Sequence, residues 1–449
     1  MAKKRYVVVG TGGRAVNFIQ PMVTIHRGHC ELVGLCDVSA TRMAHYNANL
    51  AGAWGYRAVP AYPAERFDAM LREQRPDVVV VCTVDATHHD YIIRALQGGC
   101  DVITEKPLTT DEDKCRRILE AVQATGRRVR VAFNYRWQAY RTKVKELIAG
   151  GAIGAVKTVN LEYLLDTKHG ADYFRRWHAR REESGGMLVH KSTHHFDLVN
   201  WWLDAIPAQV FAYGGLFFYG RENALARGDG HLAAYPRYTG AVAAQADPFR
   251  LDLADGGKLE QLYLAAESES GYVRDRNVFR DDINIQDAMS VNVRYRTGQL
   301  LTYSLVCFSP REGMRVSFNG ERGRLEYAEF RGTHIIRGQS DEELAREQDH
   351  APDGGGESIR VYPHFQASYD VPAVRGPGGH GGSDPLLVEN LYAPDAPADP
   401  WGRSAGHEQG AASILVGIAG NHSIGRNQPV AIDQLLALRP GATRLSELA

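Results

Sequence analysis

No stretch of 18 or more apolar residues occurs in the 449-residue sequence, so no segment is expected to span a membrane. An excess of one charge is missing too. Lys and Arg total 52 against 53 Asp and Glu, which leaves no broad basic field to hold a phosphate backbone, and nucleic-acid binding is not expected. Cysteine is scarce, with six residues (Cys30, Cys36, Cys82, Cys100, Cys115 and Cys307) and no C-x-x-C pair. Five fall early and mostly inside apolar segments, the pattern of buried reduced thiols in a cytoplasmic protein rather than of a disulfide scaffold. The apolar run Val7-Val8-Val9 is too short for a signal segment and ends in a glycine turn. Repeats and heptads are absent. Apolar and charged contents of 44% and 23% are ordinary, which sets aside disordered and fibrous classes, and the length favours two domains.

What is present changes character along the chain. In the early part, short apolar runs at 5–9, 31–36, 77–82, 101–104 and 129–133 alternate with helix-like segments at 13–26, 40–50, 89–97 and 111–125. Val78 to Cys82 are five consecutive apolar residues, as in strands buried on both faces. The alternation implies right-handed crossovers and a parallel sheet. Beyond Gly150-Gly151-Ala152-Ile153-Gly154 the strands lengthen and gain β-branched and aromatic residues, at 156–165, 208–218, 289–295, 300–308 and 314–318. Helices become sparse there apart from 194–203 and 411–422. The expectation is an α/β Rossmann domain over 1–135, then an α+β domain over 136–449 with an open, mostly antiparallel sheet. Stretches 221–282 and 331–384 read as insertions, the second with glycine-rich loops at 354–356 and 376–383.

Gly10-Thr11-Gly12-Gly13-Arg14-Ala15 fits G-x-G-x-x-A between a strand and a helix. The first glycine permits the tight turn, the second lets backbone approach a pyrophosphate, and Ala15 allows close packing of helix on strand. The helix N-terminus then faces the phosphate charge. Asp37 ends the second strand about 25 residues later, where a carboxylate accepts ribose hydroxyls and repels a 2′-phosphate, so NAD is favoured over NADP. Arg42 lies close enough in sequence to moderate that preference.

Further along, Glu105-Lys106-Pro107 follows a strand. Together with the glycine motif it resembles the Gfo/Idh/MocA family of glucose–fructose oxidoreductase and inositol dehydrogenase relatives. Thr83-Val84 with His88 is similar to that family's turn over the nicotinamide, and Asn134-Tyr135-Arg136 to the segment leaving its Rossmann domain. The run from Gly185 through His190, Lys191, His194, His195 and Asp197 resembles its second-domain helix, and Gly320 to Glu326 its late strand turn. The resemblance covers most of the chain apart from the two insertions. It implies an oxidoreductase that binds NAD through Gly10, Gly12, Gly13, Arg14, Ala15, Asp37, Thr83, His88, Glu105, Lys106 and Asn134. It also implies that Lys106 touches cofactor and substrate hydroxyl with a lowered pKa, and that His194 removes the hydroxyl proton while hydride leaves the same carbon. Asp197, on the same helix, either orients an imidazole or satisfies local backbone.

One position departs from the family. Where many of its sugar dehydrogenases carry an aspartate, four residues before the histidine, this chain has His190, followed by Lys191. A fixed negative charge is therefore expected to be lost, and an imidazole gained. A subset of relatives works as NAD-dependent glycosidases, through transient oxidation of a ring hydroxyl, elimination, hydration and reduction. Such a cycle needs extra acid/base groups, which His190, His194, Lys191 and His380 would supply, the last on a glycine-rich loop similar to theirs. His190 and His194 also have the i, i+4 spacing of a zinc pair, but without H-E-x-x-H order no metal is expected.

The stretch from Asp166 to Arg181 is rich in groups that sugars need. Tyr173 and Trp177 offer faces for pyranose C–H surfaces, Tyr135 and Lys191 join them from neighbouring motifs, and four arginines, Arg180 among them, suit a carboxylate or phosphate on a sugar or form a solvated basic loop. By analogy with the family, a homodimer or homotetramer through the C-terminal sheet is expected, with a small carbohydrate as substrate and no membrane partner.

Overall fold

The computed structural model describes residues 3–331, 356–372 and 379–448; much of the second insertion and the His380 side chain lie outside the described residues. Strands β1 (Lys4–Val9), β2 (Cys30–Asp37), β3 (Ala61–Pro63), β4 (Val78–Val81), β5 (Asp101–Thr104) and β6 (Val129–Val131) run parallel in the order β6-β5-β4-β1-β2-β3. This is the doubly wound Rossmann order, which opens a crevice at the carboxyl ends of β1 and β4, where the strand order reverses. All four residues of β4 are buried, which accounts for its continuous apolar run. Side-chain caps fix two helix starts: Ser39 accepts from the Arg42 N–H ahead of Ala40–Ala51, and Asp111 from the Lys114 N–H ahead of Glu112–Thr125.

The second sheet contains β7 (Val156–Asp166), β8 (Pro207–Gly215), β9 (Ala288–Tyr295), β10 (Leu300–Ser309), β11 (Glu312–Gly320), β12 (Gly323–Arg331), β13 (Gly356–Pro363) and β14 (Tyr369–Asp370). Every pairing among them is antiparallel except β7 with β10. Two short strands finish the sheets: β15 (Ala405–Gly406) joins the edge at β6, and β16 (Val430–Ala431) the edge at β8. Along β9 the alternation is regular, with Met289, Val291, Val293 and Tyr295 buried and Ser290, Asn292 and Arg294 exposed. Helix His407–Arg426 lies against β8 and the short helix Met187–His190. Gly417 permits that approach, since a Cβ there would lie 2.3 Å from the Leu188 carbonyl oxygen.

Several local expectations are corrected. Residues 379–383, expected to be loop, belong to helix Gly379–Tyr392. Residues 167–175, within the stretch read either as a sugar- or anion-binding segment or as a solvated basic loop, form helix Thr167–Arg175, capped by Asp166. His190 and His194, four apart, do not share one helix: a break at Lys191–Ser192 separates Met187–His190 from Thr193–Leu203. Asp197 serves neither an imidazole nor local backbone. Its two oxygens accept from Arg136 Nε at 2.8 Å and Nη2 at 2.5 Å, while Arg136 Nη1 donates to Gln409 Oε1 at 2.8 Å. This ion pair, with side chains 0% and 1% exposed, ties the segment after β6 to the helix that carries His194. Arg136→Ala leaves a buried carboxylate uncompensated and is expected to cost about 3–5 kcal/mol, read as a lower urea midpoint.

All six cysteines are unpaired. Among the described residues, no helix is long and apolar enough to cross a membrane.

Candidate active site

A cleft of about 830 Å³ lies at the carboxyl ends of the first sheet and is closed by the second domain. At one end is the turn after β1. Gly10 has φ +85°, and a Cβ on it would lie 2.6 Å from the Cys82 carbonyl carbon and oxygen, both backbone atoms at the end of β4. Gly10→Ala therefore has to push β1 and β4 apart. It is expected to abolish dinucleotide binding, as read by titration with NADH. Gly12, Gly13 and Arg14 line the cleft, while Ala15 is fully buried beneath it. The Gly13 N–H donates to the Tyr263 hydroxyl at 2.8 Å, a contact from the insertion 250 residues downstream.

Asp37 also lines the cleft, but its oxygens already have partners. Oδ2 accepts from the Thr11 N–H at 2.5 Å and its hydroxyl at 2.9 Å; Oδ1 accepts from the Ser39 N–H at 2.9 Å and Arg42 at 3.3 Å. Four acceptor sites are thus filled, and the Thr11 hydroxyl is the partner that can rotate aside for a ribose. Arg42 is buried and also donates to the Leu262 carbonyl and the Ser270 hydroxyl.

The chemical end of the cleft gathers around Lys106. Its Nζ donates to the His190 carbonyl at 3.3 Å and lies 3.5 Å from His190 Nε2. The other ring nitrogen of His190 meets Asp85 Oδ2 at 2.5 Å. The carboxyl group expected to be missing at position 190 is supplied from elsewhere, by Asp85 after β4, whose burial pushes its pKa well above the usual carboxylate range against the opposing charge of Lys106. Burial pushes the Lys106 ammonium below its ordinary pKa, with Asp85 and Glu105 opposing that shift. Burial, then the Lys106 and Arg176 charges, holds His190 well below the usual imidazole range. A neutral His190 donating Nδ1–H to Asp85 leaves the Nε2 lone pair toward Lys106, the orienting logic of a carboxylate–imidazole dyad. His178 adds a second imidazole, its ring 4.2 Å from that of His190 and 3.6 Å from that of Trp177.

The remaining expected residues divide between cleft and scaffold. Thr83, Glu105, Asn134, Tyr135, Tyr173, Trp177, Arg180, Lys191 and His194 all line the cleft. His194 stacks on Tyr135 at 3.9 Å, and its Nδ1 has no hydrogen-bond partner among the described residues. His195 instead packs behind the cleft, stacked on Tyr163 at 4.1 Å with Nδ1 2.8 Å from the Tyr303 hydroxyl. His88 reaches the cleft, but its ring nitrogens face the carbonyls of Pro107 and Thr83, so it clamps two loops rather than offering a ligand contact. Glu105 pairs with Arg14 at 2.5 Å, and Asn134 donates to Asp384 at 3.0 Å. Lys191 donates to the Tyr135 hydroxyl and lies 4.9 Å from the Tyr163 ring centre. The arginines of 175–180 are largely used internally: Arg176 pairs with Asp172, and Arg180 with Glu182 and Asp282.

A second histidine–carboxylate pair was not foreseen. His169 Nδ1 lies 2.8 Å from buried Glu312, and its Nε2 is 3.3 Å from the Tyr173 hydroxyl, inside the same cleft. Asp85 was within reach of the sequence, since it falls between Thr83 and His88, both already singled out. Glu312 had no signal; it is one acid in a strand end, 143 residues from its partner.

A doubly wound sheet with this glycine turn, beside a cleft of buried lysine and imidazoles, defines a two-domain, dinucleotide-binding oxidoreductase class. Comparison with known proteins agrees. Residues 4–133 match the family described as oxidoreductase family, NAD-binding Rossmann fold, and residues 145–432 match its C-terminal alpha/beta domain. The chain belongs to the Gfo/Idh/MocA oxidoreductase family. It is 37% identical over 454 residues to YteT of Bacillus subtilis (strain 168), covering 97% of this chain and 99% of that one. It is 33% identical over 151 residues to inositol 2-dehydrogenase 3 of Saccharopolyspora erythraea, covering 33% of this chain and 42% of that one. A solved structure of the WlbA dehydrogenase from Bordetella pertussis, in complex with NADH and UDP-GlcNAcA, superposes with a TM-score of 0.61 over 96% of this chain and 99% of that one. At 18% identity, that likeness speaks for the fold alone.

Proposed function

We propose that the protein oxidises a secondary hydroxyl of a sugar, polyol or glycoside with NAD. The division at residue 135 into a cofactor unit and a substrate unit is part of this reading. The observation that carries it is the Lys106–His190–Asp85 chain at the cleft floor, next to the glycine turn. Gly10, Gly12, Gly13, Arg14 and Asp37 would hold the dinucleotide, with Thr83, Glu105 and Asn134 toward its nicotinamide end. When bound, NAD supplies a hydride acceptor. Lys106 then donates a hydrogen bond to the substrate oxygen. The hydroxyl proton, which the family resemblance gives to His194, goes in this reading to His190 Nε2, because His190 is the imidazole backed by a carboxyl group, Asp85, while His194 Nδ1 has no hydrogen-bond partner among the described residues. His194 serves the same oxygen from the Tyr135 side. Tyr173 and Trp177 flank the sugar ring. The inositol dehydrogenase relative supports a polyol or carbohydrate substrate.

The test is incubation with NAD and a panel of free sugars, inositols and aryl glycosides. A rise in NADH absorbance matched to substrate consumed is expected. The His169–Glu312 pair with Tyr173 favours a second reading, because it adds an acid/base device that simple oxidation does not need. In that reading the protein is a glycosidase that oxidises a ring carbon, eliminates the aglycone, adds water and returns the hydride. Release of sugar with no net NADH would select it.

The exposed face of the second sheet supports association with a second copy, to be checked by light scattering of the purified chain. A cytoplasmic location is part of the same proposal.

A further inference from the structure

The insertion after β8 returns to the first domain and settles on the wall beyond Asp37. Tyr263 bonds the glycine turn, while Leu262 and Ser270 hold Arg42. Glu269 goes furthest. Its carboxylate accepts from the Ser39 hydroxyl, from the Thr41 N–H at 3.1 Å and from the Thr41 hydroxyl at 2.8 Å. These donors begin the 12-residue helix Ala40–Ala51, immediately after the aspartate that marks the adenosine ribose. A phosphate on the ribose 2′ oxygen would look for those donors, since a helix N-terminus and its hydroxyls form a ready anion site.

We propose that Glu269 is a cofactor-specificity residue whose carboxylate occupies the 2′-phosphate subsite and so excludes NADP. The inference rests on the NAD reading above and sharpens it. Three observations support it. Each donor a 2′-phosphate would use is already taken by the carboxylate. Arg42, the guanidinium beside Asp37, is committed to Asp37, Leu262 and Ser270. The charge of Asp37 is compensated by Arg42 in a direct ion pair, whereas Glu269 is held by the Ser39 and Thr41 hydroxyls and the Thr41 backbone N–H, which, with a smaller contribution from the Arg42 charge, hold its pKa below the ordinary value. An incoming phosphate would therefore have to displace a like charge, the kind of repulsive element that sets specificity.

The test measures NADH and NADPH affinities of the full chain and of Glu269→Gln and Glu269→Ala, by fluorescence titration. The glutamine variant keeps the shape and the acceptor oxygen and guards against a change in folding. The intact chain is expected to bind NADH at least about 100-fold more tightly than NADPH. Both variants should shrink that ratio by at least about tenfold, with the gain on the NADPH side. Equal affinities in the intact chain, or an unchanged ratio in both variants, overturns the role of Glu269 while leaving dinucleotide binding intact. Failure of the intact chain to bind either nucleotide overturns the NAD reading along with it.

Discussion

Lys106→Met is expected to lower kcat by about three orders of magnitude while NADH still binds. Lys106 Nζ lies within 3.5 Å of His190 and lines the cleft beside the Asp85–His190 pair. Methionine keeps the length and apolar stem but removes the hydrogen-bond donor that would polarise the substrate oxygen. It also removes the positive charge that helps hold His190 neutral. Asp85→Asn provides the companion measurement. An amide in place of the carboxylate no longer fixes the Nδ1–H tautomer, and it stabilises an imidazolium far less. The expected loss is about 100-fold or more in kcat, with KM for the substrate little changed, because Asp85 touches His190 rather than the sugar. Steady-state kinetics on whichever hydroxyl compound the panel selects would check both. Near-native turnover in Lys106→Met would remove Lys106 from the chemistry.

Acidification is expected to destabilise the fold steeply. His178, His190, His194 and His195 are all buried, and burial, followed by neighbouring positive charges, holds each well below the usual imidazole pKa. Below about pH 6.5 the unfolded chain takes up protons at these positions and the folded chain does not, so stability present at neutral pH is lost as pH falls toward the folded-state values. Each histidine contributes up to about 1.4 kcal/mol per pH unit in that window. Urea midpoints at about pH 7.5 and about pH 5.5 should therefore differ by far more than a protein with exposed histidines would show. A midpoint that does not move would mean that these rings are protonated inside the fold.

How far the sequence carried the fold depended on local regularity. Strand β4 is readable because both faces are buried and its apolar run is unbroken, whereas β1, β2 and β5 carry shorter buried apolar runs flanked by polar residues or glycine. β3 leaves little mark in the sequence, since the strand is three residues long and ends in Pro63, and helix Phe67–Gln74 after it is only eight residues long. β12 was read only as a turn, although Leu325 and Tyr327 alternate with polar neighbours in the way its pairing requires. In the site, motifs located the residues at strand ends, because backbone chemistry fixes those positions: Gly10 needs its φ, and Lys106 follows β5. The partners of those residues were not readable. Asp85 meets His190 across 105 positions, and Glu312 meets His169 across 143, through packing that no local pattern encodes. The arginines near 175–180 are paired partly with acids close in sequence, Asp172 and Glu182, and partly with the distant Asp282, and only the last lies beyond any local pattern.

Tyr263 resting on Gly13 means that the nucleotide groove is completed by chain made long after the groove itself. Loading of a nucleotide would then be coupled to the contact between the two halves. A bound dinucleotide would leave no faster than that distant segment lifts, and an isolated first half would be a leaky vessel for it.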